Sequence, residues 1–212
     1  MIWVFENWDR FLDLTGEHLN LALVPVLIGL VIAIPLGWLA SRSRVASAIL
    51  LQLSNILYTV PSLALIVLTP VIVGSKILDP INVILPLIIY TVALLIRGIA
   101  DALRSVPGHV VAAATAMGFR PLRRFLTVEF PLAVPVTIAG LRVAMVTSIS
   151  MVSVGGLIGL GGYGQLFIEG YQGSWDEKVW TGLVASIVLA LIADSALQVI
   201  GRVLTPWVRA GR

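Results

Sequence analysis

Residues able to do chemistry are scarce in this chain, and their spacing excludes most reactions. There is no cysteine, which removes thiol nucleophiles, thiolate metal sites and disulfides together. The two histidines, His18 and His109, are far apart and make no metal-ligand spacing. Neither lysine, Lys76 nor Lys178, follows a glycine, so no phosphate-binding Gly-x-x-x-x-Gly-Lys-Ser/Thr loop is present. The stretch "GLGGYG", Gly159 to Gly164, does fit Gly-x-Gly-x-x-Gly. A long apolar run precedes it where a dinucleotide fold needs a strand. Gly159, Gly161, Gly162 and Gly164 therefore read as a close-packed loop that lets another backbone approach. That leaves Arg142 and Asp194, two ionisable residues inside long apolar runs, where a charge needs a reason. At helical rise Arg142 lies about 16 Å into its run and Asp194 about 12 Å from the same side of its own. Similar depth and opposite sign point to a pair that either lines a polar path or clamps two helices.

The elements that must position these residues follow from composition. The chain has 212 residues, 58% hydrophobic and 12% charged, with a mean hydropathy of +1.02. That charged fraction is about half that of a soluble domain, so the expected class is an all-α integral membrane protein. Apolar runs of about 20 residues are needed to cross a ~30 Å hydrocarbon core. Five meet this, at about 19–40, 46–73, 80–100, 131–157 and 179–204. The second carries Tyr58, Pro61, Ser62 and Pro70, so a kink or a split into two half-helices is expected. Residues 1–18 carry Glu6, Asp9, Asp13 and Glu17 and lack the basic start of a secretory leader. With Trp3, Phe5 and Trp8 they read as an interfacial helix, and 19–205 as the transmembrane domain.

Charge distribution sets the orientation. Arg42 and Arg44, then Arg104, Arg120, Arg123 and Arg124, then Arg202, Arg209 and Arg212 all fall on one side. The other side holds Arg10, Lys76 and Lys178 among acids. The positive-inside rule then puts the N-terminus outside and the C-terminus in the cytoplasm, and Gly159–Gly164 becomes an outer loop. The net charge of +3 is thereby a topological signal, with no call for nucleic acid. Between the third and fourth runs a short cytoplasmic helix is expected at about 106–118, capped by Ser105, with Pro107 in its first turn. Gly118 suits its left-handed stop, and Pro121 prevents its continuation. Its face of Ala112, Ala113, Ala114 and Ala116 is too short and too lightly apolar to fold alone, so it should rest on a partner. The arginines after it should stay in water or meet acids there.

The spacing Ala113-Ala114, Gly118, then Val128-x-Phe130-Pro131 resembles the EAA motif of ABC importer permeases. The motif's Glu is Ala112 here. The stretches "TVPSLALIVLTPVIVG", "AAATAMGFRP", "GLRVAMVTSISMVSVGGLIGLGGYG" and "FIEGY" are similar to the osmoprotectant branch, which imports glycine betaine, choline, carnitine and related amines. The resemblance implies a multi-pass subunit of a bacterial cell membrane that is no enzyme and holds no cofactor of its own. ATP and Mg belong to a cytoplasmic ATPase dimer, and a second permease and an extracytoplasmic solute-binding protein complete the importer. Some relatives fuse that binding protein behind the permease; here a separate one is expected. The missing Glu at Ala112 leans toward a non-identical second permease. ATPase coupling is implied for Ala112, Ala113, Ala114, Gly118, Phe119, Arg120 and Arg123. A path or gate is expected around Tyr58, Pro61, Ser62, Arg142, Ser153, Val154, Ile158 and Asp194. Tyr58 and Tyr90 could offer a cation–π contact or simple interfacial packing. The alternatives are an amino-acid importer permease, such as one for methionine, and a proton-coupled secondary transporter, for which Asp194 is the one acid deep enough.

Overall fold

The computed structural model describes residues 2–207; Arg209 and Arg212 lie outside the described residues. Among these the chain is helical with no strand. Helix α1 is Ile2–Glu6, α2 Trp8–Arg42, α3 Arg44–Thr59, α4 Ser62–Val73 and α5 Ile81–Arg104. The short α6, Gly108–Ala116, and α7, Pro121–Arg124, precede a π turn at Phe125–Glu129. Helix α8 is Phe130–Val152, a 3-10 turn covers Ser153–Ile158, and α9, Gly164–Gly173, and α10, Asp176–Leu204, follow. Four runs are long and apolar enough to cross a membrane, namely α2, Pro121–Ile158, α5 and α10; α3 and α4 together make a fifth.

The centre of the molecule is the seam between α2 and α5. Ala22, Gly29, Ala33, Gly37 and Ala40 are buried on one stripe of α2. A Cβ on Gly29 would lie 2.5 Å from Thr91 Cγ2, and one on Gly37 would lie 2.6 Å from Ile99 Cγ2. Small residues at this spacing let two backbones come close enough for dispersion contacts to hold them in lipid. Helix α8 closes over this pair with Ala144, Met145, Ile149 and Val152 buried. Helix α10 is peripheral: only 6% of its apolar window is covered, against 56% for α5.

Three boundaries, at residue 18, Ser105 and Pro131, differ from expectation, while the expected break in the second run is present. No break occurs at residue 18, because α2 runs unbroken from Trp8. Leu14 and His18 are buried there, so this end of the stretch packs against the protein, while Phe5, Trp8 and Leu12 stay exposed and Ile2–Glu6 forms a separate short helix. The 46–73 run splits at Val60-Pro61 into two helices bent by 97°. Val60 and Pro61 are both extended (ψ 131° and 129°), as proline imposes on the residue before it. Pro70 lies inside α4 without ending it. Ser105 does not cap α6; its Oγ donates to the Ala102 carbonyl at the end of α5, and Pro107 takes the cap position. The fourth span does not start at Pro131. Pro121 occupies the first turn of a new helical segment, where its missing N–H costs nothing, and helix continues through the π turn into α8.

The seam gives a direct test. Gly37→Val overpacks it against Ile99 and should lower the stability of the detergent-solubilised protein by about 1–3 kcal/mol. Gly98→Ala, where a Cβ meets nothing within 4 Å, should leave stability unchanged or raise it by up to ~1 kcal/mol. Thermal unfolding of the two variants beside the parent measures the contrast.

Candidate functional site

At the arginine-rich end, α6 stands out from the helical body. It ends in a Schellman motif: Gly118 N–H donates to the Thr115 carbonyl at 2.9 Å and Phe119 N–H to that of Ala114 at 3.2 Å. Gly118 takes φ +81°, the left-handed conformation in which a Cβ is penalised. Of the alanine face only Ala114 turns inward; Ala112, Ala113, Ala116 and Met117 are exposed. Phe119 lies under the Arg123 guanidinium, 4.8 Å from its ring centre, and Arg120 is exposed.

Arg124 does not wait for an outside acid. Its Nε donates to Glu129 Oε1 at 2.7 Å and its Nη1 to Thr115 Oγ1 on α6 at 2.6 Å. Glu129 also accepts from Arg42 at the end of α2. Arg104 donates to the Ala40 carbonyl at 2.9 Å and to Ser47 Oγ at 2.7 Å. Spacing along the chain does not mark Glu129, for a physical reason. A spacing of five places Arg124 and Glu129 on different faces of an α-helix. The π turn, in which Phe130 N–H bonds the Phe125 carbonyl, brings them together. The one available signal was a lone acid between apolar residues in "TVEFP".

Arg142 and Asp194 do meet, joining α8 to α10 through two parallel hydrogen bonds of 2.7 Å each. Their side chains stay 34% and 30% exposed, so the pair faces open space. It sits where two grooves of about 620 and 400 Å³ adjoin, and Ser150, Ser153, Ser186 and Thr147 add hydroxyls to their apolar walls. Val154 and Ile158 are half-buried in the 3-10 turn and pack on the core. Pro61 and Ser62 lie at the break between α3 and α4. Tyr58 and Tyr90 pack edge to face with centroids 5.7 Å apart. Tyr90 donates to the Val60 carbonyl, which the proline break leaves unpaired, and the space beside the two rings is only about 10 Å³. The pair therefore serves the break in this conformation, while Tyr58 keeps an exposed face.

At the opposite end the glycine loop is seated on the first turns of α2. Gly161 N–H and Gln165 Nε2 donate to Glu17 at 3.1 and 2.9 Å. His18 Nδ1 accepts from Tyr163 N–H at 3.2 Å while Nε2 lies 3.0 Å from the Ile149 carbonyl. An acceptor on one ring nitrogen and a donor on the other require the neutral tautomer protonated at Nε2. Gly159, Gly161 and Gly162 have positive φ, and a Cβ on Gly162 would sit 2.5 Å from His18 Cβ. Gly164 opens α9, where a Cβ would fall 2.2 Å from the Ser153 carbonyl oxygen, leaving no space for a side chain. Nearby, Glu169 takes both Arg10 and Lys178, and Lys178 Nζ lies 4.5 Å from the Trp175 ring centre.

The protein family described as "Binding-protein-dependent transport system inner membrane component" matches residues 25–206. The chain is 30% identical over 200 residues to the choline transport system permease protein of Bacillus subtilis, covering 94% of this chain and 91% of that one. It is 30% identical over 207 residues to the osmoprotectant import permease protein of Salmonella typhimurium, covering 96% of each. A chain from inward-facing structures of a methionine ABC transporter superposes with a TM-score of 0.82 at 27% identity, covering 97% of this chain and 98% of that one.

Two measurements test this geometry. Arg142→Asp or Asp194→Arg alone leaves like charges facing each other and should cut the folded yield in size-exclusion profiles, whereas the double exchange should restore it. Continued loss in the double variant would show that the pair does not hold α8 to α10. Burial pushes the Glu169 carboxyl up, but Lys178 and Arg10 outweigh it and hold it below its usual 4.5. Its contribution is then fully present above the unfolded carboxylate range and is lost as pH falls through the lowered folded value. Glu169→Gln should flatten the acid side of a melting temperature against pH profile.

Proposed function

This chain belongs to the family of binding-protein-dependent transport system inner membrane components, and we propose that it is the translocation subunit of an ATP-driven importer of quaternary-ammonium osmoprotectants. Glycine betaine, choline and carnitine define the solute class. The chain is a multi-pass protein of the bacterial plasma membrane. An importer of this kind needs an ATPase, which carries ATP and Mg, and a solute-binding protein; the chain itself is non-catalytic. The observation that carries the reading is α6. It is a short helix stopped by Gly118, with small exposed side chains, standing out between two spans at the end richest in arginine. Full-length similarity to permeases named for choline and for osmoprotectants supports the solute class.

The mechanism follows from rigidity. The arginine-rich end faces the cytoplasm, where Ala112, Ala113, Ala114, Gly118, Phe119, Arg120 and Arg123 seat in the ATPase. When the ATPase closes, α6 moves with it. The short link 117–120 and the Arg124–Thr115 bond join α6 to a helix that is continuous from Pro121 to Ile158, so the displacement is passed to α8. Outward and inward openings then alternate as rigid-body rearrangements. The groove carrying Arg142, Asp194 and Ser153 lines the path, with Val154 and Ile158 near its outer end, and Tyr58, Pro61 and Ser62 mark the bend at its flank. The uncovered face of α10 meets a second permease, a non-identical one because Ala112 lacks the motif's acid. The binding protein docks on the loop of Gly159, Gly161, Gly162 and Gly164. The likeness to a methionine transporter chain favours an amino-acid importer as the second reading. A proton-coupled carrier is disfavoured, since Asp194 is occupied by Arg142 on both oxygens.

Gly118→Trp should abolish co-purification of the ATPase while leaving the monomer folded; retained association would defeat the coupling reading. In cells holding the complete importer, unlabelled glycine betaine or choline should compete with labelled betaine uptake. Competition by methionine alone would transfer the assignment to amino acids.

A further inference from the structure

We propose that Glu129 is the positioning residue that ties the coupling segment to the transmembrane body. The inference rests on the coupling role proposed for α6 and adds a residue outside the resemblance motif's Glu, Ala, Ala and Gly positions. Its carboxylate is 4% exposed and engaged on both oxygens. One oxygen accepts from Arg42 in the last turn of α2, the other from Arg124, which in turn holds Thr115 on α6. One side chain thus joins α2, the α7 segment and α6. Among the described residues, the Arg124–Thr115 bond is the one side-chain hydrogen bond from α6 to another helix.

Two physical features make this a point of transmission. A carboxylate this deeply buried persists only while paired, and removing it leaves two guanidinium groups facing each other. The bond to Arg124 also depends on the π turn. If Phe125–Glu129 rewound to α-helix, Arg124 would rotate off the face that Glu129 occupies. The tie and the π turn therefore persist together, and a push on α6 is handed to α2 as well as to α8. Glu129 acts only through its arginines and touches no solute.

The absence of cysteine makes the test clean. Spin labels at Val45→Cys on α3 and Ala116→Cys on α6 report the distance between body and coupling helix in the purified full-length chain. Glu129→Gln should broaden that distribution, and Glu129→Asp should restore it in large part. In proteoliposomes holding the complete importer, Glu129→Gln should lower glycine betaine imported per ATP hydrolysed by roughly two- to thirtyfold, the range over which such coupling residues act. The KM for betaine and the association with the ATPase should stay unchanged. Arg42→Gln serves as a second variant if Glu129→Gln does not fold, with the same expected pattern. Parent-like distances in both variants would overturn the proposal. A drop in import accompanied by lost ATPase association or a changed betaine KM would also overturn it, because general damage would then explain the result. If Gly118→Trp keeps the ATPase bound, the coupling role fails on its own, and the label distances still decide whether Glu129 holds α6.

Discussion

The close approach of α2 and α5 is the contact on which the other positions depend. Lipid supplies no hydrophobic force between two apolar helices, so their association rests on dispersion across a surface that must fit. Gly29, Ala33 and Gly37 recur every fourth residue and leave no room for anything larger against Thr91 and Ile99. Once that seam is fixed, both ends of α2 are fixed too. At one end Glu17 and His18 hold the glycine loop. At the other, Arg42 holds Glu129 and the Ala40 carbonyl holds Arg104. One helix thus relates the loop proposed to meet a binding protein to the segment proposed to meet an ATPase.

The charges divide by what they do to neighbouring elements. Arg142–Asp194, Arg42–Glu129–Arg124 and Arg10–Glu169–Lys178 each join separate helices. Such pairs are weak evidence of stability, because desolvation offsets much of the attraction. They are stronger evidence of placement, since a bidentate or two-sided geometry is met in few arrangements of the helices carrying it. Arg120 and Arg123, by contrast, stay on the surface with Phe119, where they are available to another protein.

Local chemistry made much of this readable in advance. The stop at Gly118 was legible because a left-handed residue after an alanine-rich helix calls for glycine. The interruption at Pro61 was legible because proline removes a donor and biases its predecessor. The Arg142–Asp194 pair was legible from depth and sign, since a charge inside a span demands a partner. The helix boundaries near residues 18 and 131 are not legible in the same way. Hydropathy marks where a chain becomes apolar, whereas a helix continues as long as its neighbours supply contacts, as the glycine loop does for residues 14–18.

By itself the sequence determined the class, the apolar runs, the small exposed helix between two of them and the scarcity of catalytic groups. Those follow from composition and from interactions within a few residues. Only the tertiary structure decided the 97° bend of the second run, the employment of Tyr90 on the Val60 carbonyl, and the capture of Arg124 by Glu129. Each depends on groups brought together across the fold or on a helical turn of unusual pitch. Neither has a fixed spacing that a reading along the chain could find.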